Sequence, residues 1–84
     1  MKEITLDCTG IADKKQLHQA LYETLALPEW YGHNLDALFD CLTECDETHL
    51  TLLHWDELGD WNESFASVFE DAAVENEYFT YTIV

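Results

Sequence analysis

Arginine is absent from this chain, and no lysine follows Lys15. The three lysines, Lys2, Lys14 and Lys15, stand against eighteen Asp and Glu, for a formal charge of −15 over 84 residues. Within residues 1–15 the lysines balance Glu3, Asp7 and Asp13. Residues 16–84 hold fifteen acids and no permanent cation. Few internal salt bridges are therefore possible, and most carboxylates must face water or a partner's cations. Phosphate is repelled by such a surface, which argues against nucleic acid and anionic membranes as partners. Without a metal, phosphoryl chemistry is disfavoured for the same reason, because it needs cations to hold the developing charge. A solubility device or a salt-rich habitat would produce the same acid excess.

Cysteine is scarce and odd in number. Cys8, Cys41 and Cys45 form no CxxC or Cys/His pattern, which argues against a disulfide-stapled secreted domain. Free, mostly buried thiols are expected. The opening Met-Lys-Glu-Ile-Thr-Leu-Asp lacks the apolar stretch of a signal peptide, and no segment has the length of a bilayer span. The expectation is a cytosolic protein. No EF-hand loop or HExxH motif occurs, so no metal or cofactor is predicted. His33 with Asp36 and Asp40 nevertheless supplies metal-ligating residue types close together, as does His49 or His54 with nearby acids.

What is present is enough apolar residue, 48% of the chain, for one folded domain over residues 1–84. Residues 3–8 alternate, with Ile4, Leu6 and Cys8 on one face, and read as a strand with one wet side. Asp13 and Gln16 carry the spacing of a capping box for a helix whose stripe is Leu17, Ala20, Leu21 and Leu25. Pro28 is expected to stop that helix near Leu27. Asn34 suits the N-cap of a second helix. Leu50–Trp55 reads as a strand, Asp56–Asp60 as a short helical turn, and Asn62 as the cap of a helix ending near Asn76. Phe79–Val84 alternates as a third strand. Helical crossovers imply parallel strands, and right-handed crossovers moving one way place every helix on one face. The expected fold is α/β, two layers, with strand order 1-2-3 and three to four helices.

On the second helix, Leu35, Leu38, Cys41, Leu42 and Cys45 gather on one side; Asp36, Asp40, Thr43 and Glu44 gather on the other. Like charges at i, i+4 weaken a helix slightly, and no Lys or Arg relieves them here. On the residues alone this stripe is a solvated face, a binding surface or a metal site. Asp71 and Glu75 form a second acidic ridge. Between the first two helices, Trp30-Tyr31-Gly32 places aromatics beside charge, a composition found at protein interfaces and equally at the edge of a small core.

The run Leu25-Ala-Leu-Pro-Glu-Trp-Tyr-Gly-His-Asn-Leu-Asp-Ala-Leu-Phe-Asp-Cys-Leu-Thr43 resembles the LALPxxYGxNLDALxDCLT segment of the barstar family of intracellular ribonuclease inhibitors. Leu17-His18-Gln19 and Val68-Phe69 with the following acids are similar to that family's first and last helices. The resemblance covers nearly the whole chain, with a weaker, shorter stretch around residues 57–63. It implies a three-stranded parallel α/β fold with no catalytic residues, monomeric when free. It also implies a 1:1 complex with a basic, guanyl-preferring ribonuclease of the barnase type, whose active site is plugged by carboxylates in place of RNA phosphates. Asp40 matches the central carboxylate. Tyr31, Gly32, Asn34, Asp36, Thr43 and Glu75 match contact positions, and Asp71 stands where barstar has Glu. Trp30 replaces a Tyr, Phe39 a Trp, and Cys45 an interface Trp. The alternatives are an acidic mimic of nucleic acid that blocks another basic protein, and a metal-binding domain.

Overall fold

The computed structural model describes all residues, 1–84. Its elements follow in the order β1 (Lys2–Asp7), α1 (Lys14–Thr24), α2 (Leu35–Thr43), β2 (Thr48–Leu53), a 3-10 turn (Trp55–Glu57), α3 (Asn62–Glu75) and β3 (Phe79–Ile83). The strands are all parallel and lie in the order β1-β2-β3, as expected.

Register explains why the sheet has one dry side. Ile4, Leu50 and Tyr81 lie in one cross-strand row, and Leu6, Leu52 and Ile83 in the next. Leu50 and Leu52 at the centre are fully buried beneath the helices, with Leu17, Leu21, Leu38, Leu42, Phe65, Phe69 and Phe79 around them. Alternating with these rows, Glu3-His49-Thr80 and Thr5-Thr51-Thr82 point to the other face. There the His49 ring nitrogens meet the hydroxyls of Thr80 and Thr82 at 2.7 and 3.0 Å. A wet face on a parallel sheet is uncommon; here the outward residues are polar in nearly every row.

Local signals set most helix ends. The Asp13 carboxylate accepts from the Gln16 amide at 2.9 Å, and the Gln16 side chain reaches back to the Ala12 N–H at 2.7 Å. Asn34 caps α2 by accepting from the Ala37 N–H at 2.8 Å. Helix α1 ends at Thr24, short of Leu27, because Ala26 turns left-handed at φ 52°. The Leu27 N–H then returns to the Tyr22 carbonyl at 3.0 Å, closing a Schellman-type turn. Asn62 does not cap α3: Trp61 holds that position, and the Asn62 amide donates to the Trp55 carbonyl at 3.1 Å. A tertiary partner thus took the side chain that local preference would assign to a cap. The second strand starts two residues earlier than expected, at Thr48, which is buried and donates its hydroxyl to the Asp46 carbonyl.

Charge pairing is as sparse as the composition demands. Only two charge contacts form, the N-terminal ammonium with Glu47 at 3.6 Å and the His54 ring with Asp7 at 2.9 Å, the second an ion pair when the ring is protonated. No helix has a basic residue in its last turn.

Candidate protein-binding site

The segment between α1 and α2 is rigidly built. The Tyr31 N–H donates to the Pro28 carbonyl at 2.9 Å. The Tyr31 ring turns inward and is only 3% exposed; its hydroxyl meets His18 Nδ1 of α1 at 2.5 Å. Tyr22 stacks on Tyr31 with planes 9° apart. His33, at φ 53°, places Nδ1 3.2 Å from the Tyr31 carbonyl and Nε2 3.0 Å from Gln19 Oε1. A Cβ at Gly32 would come within 2.8 Å of the Asn34 amide nitrogen, which donates to the Gly32 carbonyl, so a larger residue would displace the Asn34 side chain. Trp30, by contrast, stands 60% exposed.

Helix α2 buries Leu38, Cys41 and Leu42 and leaves Asp36, Asp40 and Glu44 exposed, with Thr43 partly so. The apolar and anionic faces therefore separate as the helical period requires. The Thr43 hydroxyl donates to the Asp40 carbonyl at 3.0 Å. Asp36 lies in the first turn, where the helix dipole favours a carboxylate; Glu44 is the C-cap, where it does not. Phe39 and Cys45 are half-buried. On α3, Asp71 and Glu75 are exposed. Val74 between them is 79% exposed and Tyr78 beyond them 54%. These two apolar side chains had escaped the sequence reading, although the 3–4 spacing from Asp71 puts Val74 on the same face.

The two acidic helices pack on each other. Asn76, just past α3, donates its side-chain amide to the Leu42 and Cys45 carbonyls at 2.9 and 3.2 Å. That contact brings the C-terminal ends of α2 and α3 together. Of the expected contact residues, Trp30, Gly32, Asn34, Asp36, Asp40, Asp71 and Glu75 are exposed, and Phe39, Thr43 and Cys45 partly so. Tyr31 lies beneath the loop and shapes it.

Chemically the surface is acceptor-rich, and the thiols near it are held protonated. Burial pushes the Cys8 thiol up to about 11, with Asp7 adding to it. Burial likewise raises Cys41 and Cys45, so all three stay protonated and weakly nucleophilic. No group of three or more His, Cys, Asp or Glu side chains is arranged to hold a metal ion. No helix is long and apolar enough to cross a membrane. A cleft of about 290 Å³ runs beside the end of α2, lined by Leu25, Leu27, Trp30, Cys41 and Cys45 among others.

A Bacillus subtilis (strain 168) protein named "Putative ribonuclease inhibitor YrdF" is 42% identical over 53 residues, 63% of this chain and 58% of that protein. The matched part thus spans somewhat over half of the relative's length. The family model for barstar, described as the barnase inhibitor, matches residues 1–84, end to end. With three parallel strands in order 1-2-3 under three α-helices, the chain belongs to the barstar family.

Proposed function

We propose that this chain is a non-catalytic inhibitor of a basic, guanyl-preferring ribonuclease of the barnase type. It binds 1:1 inside the cell and places carboxylates where RNA phosphates would lie. The observation that carries the reading is α2 itself: a family helix whose exposed face offers Asp36 and Asp40 with no cation to neutralise them. A cationic active-site groove is the complement of such a face, and complementarity of this kind raises on-rate and specificity. The rigid Tyr31–His33 turn presents Trp30, Gly32 and Asn34 beside that face. The half-buried Phe39, Thr43 and Cys45 form its border, and Asp71 and Glu75 extend it.

Inhibition titrations against a panel of basic ribonucleases, barnase included, test the reading. Asp36→Ala and Asp40→Ala should each weaken inhibition by about 2–5 kcal/mol, a range partly set by barnase–barstar itself. Circular dichroism should be unchanged, because both side chains are exposed. Equal inhibition by parent and variants would sink the assignment. Binding to a basic protein that is not a ribonuclease, with none inhibited, would favour the broader reading of an acidic module.

A further inference from the structure

Asn76 is an unusual residue at an unusual place. It is 7% exposed, and every polar group it owns is engaged. Its N–H caps α3 by donating to the Ala72 carbonyl at 2.8 Å, and its C=O accepts from the Phe79 N–H at 3.0 Å. Its side-chain oxygen accepts from the Tyr78 N–H at 3.0 Å. Its side-chain amide donates to the carbonyls of Leu42 and Cys45 at the end of α2, the first of which also accepts from the Cys45 thiol at 3.2 Å. Through backbone and side chain together, one neutral residue therefore joins the end of α2, the end of α3 and the start of β3.

The join works against electrostatics. The C-terminal ends of two helices carry like partial charge, and neither has a basic residue in its last turn. Glu75 adjoins one end and Glu44 the other. The amide satisfies carbonyls that the end of α2 leaves open, and in doing so it ties that end to α3. A fixed spacing between the α3 ridge and the α2 face is what such a clamp provides.

Resting on the inhibitor reading above, we propose that Asn76 is a positioning residue for inhibition: it locks Glu75 and the Asp36–Asp40 face into one preformed surface. Asn76 touches no enzyme group; it acts through Glu75. Preorganisation of this kind lowers the cost of binding and is read mainly in the dissociation rate.

A double-mutant cycle between Asn76→Ala and Glu75→Ala, read by stopped-flow with barnase or whichever panel enzyme the parent blocks, is the test. Asn76→Ala should speed dissociation roughly tenfold, about 1.4 kcal/mol. Association should hardly change, because the charge is unaltered. In the Glu75→Ala background the same change should have a much smaller effect. Asn76→Asp, which keeps the acceptor for Tyr78 and loses the donor for Leu42 and Cys45, should behave like Asn76→Ala in dissociation. A lowered melting temperature with additive rates would mean a purely structural residue and would overturn the proposal while leaving the inhibitor reading intact. A parent that inhibits no ribonuclease would overturn both. NMR of the unmutated protein decides the case even if the variants do not fold. The Asn76 side-chain amide protons should be slowly exchanging in the free protein and keep their shifts in the complex. Fast exchange before binding contradicts a preformed clamp.

Discussion

At the residue scale, two buried or strained positions set stability independently of any partner. Ala26 occupies the left-handed position that closes α1, where its Cβ is penalised and glycine is the usual occupant. Ala26→Gly should raise stability by up to about 1 kcal/mol, less the extra freedom that glycine has in the unfolded chain. Urea denaturation measures it, and a fall would show that the turn is held by something other than backbone preference. His18 is the second case. Burial lowers its affinity for a proton, and neighbouring His33 adds to the effect. The unfolded chain therefore binds the proton more readily than the folded one. The stability held through neutral His18 is complete above an unfolded value of about 6.5 and is lost as pH falls through the folded value. His18→Asn, which can still hydrogen-bond the Tyr31 hydroxyl, should flatten the stability profile on the acid side of neutrality. Denaturant midpoints between about pH 5 and 8, spanning the ordinary histidine value, make the comparison.

Tyr31 shows where residue-level reading stops. Its aromatic ring beside Trp30 and Gly32 has an interface composition, yet His18, thirteen residues upstream, draws the hydroxyl inward. No local pattern marks that pairing. Asn76 is similar: its role as the C-cap of α3 is visible from its place after the apolar stripe, but its reach to Leu42 and Cys45, more than thirty residues away, is not.

At the scale of elements, the periodic parts were legible and the ends less so. Alternation exposes the wet and dry faces of β1 and β3, because a strand's side-chain period is fixed at two. The 3.6-residue period separates Leu38, Cys41 and Leu42 from Asp36 and Asp40 for the same kind of reason. The start of β2 escaped because Thr48, an inward position, is polar and satisfies its hydroxyl locally. Helix α3 supplies a prediction of its own. Asp71 and Glu75 repel each other at i, i+4, and Glu75 also sits at the unfavourable end of the helix dipole. Changing both to alanine should leave stability equal or higher by a few tenths of a kcal/mol, while weakening the proposed ribonuclease inhibition. A variant that melts lower and inhibits normally would make the pair structural.

The whole molecule carries −15 of formal charge with histidine neutral, offset by one ion pair at the N-terminus and a His54–Asp7 contact that becomes ionic when the ring is protonated; this opposes compaction while favouring capture of a cation-rich partner. Salt separates the two effects. Raising ionic strength from low to about physiological, where the Debye length is roughly 8 Å, screens self-repulsion between exposed carboxylates. The melting temperature of the free protein should therefore rise across that range. The same screening weakens long-range attraction to the proposed basic ribonuclease, so the association rate should fall over the same series. Dissociation should change less, because contacts made at close range are partly shielded from solvent ions. Thermal melts and stopped-flow association on one set of buffers check both halves. The sign of the pair is what matters: a melting temperature that rises with salt while association stays flat would make the acidic surface a solubility device rather than a steering one.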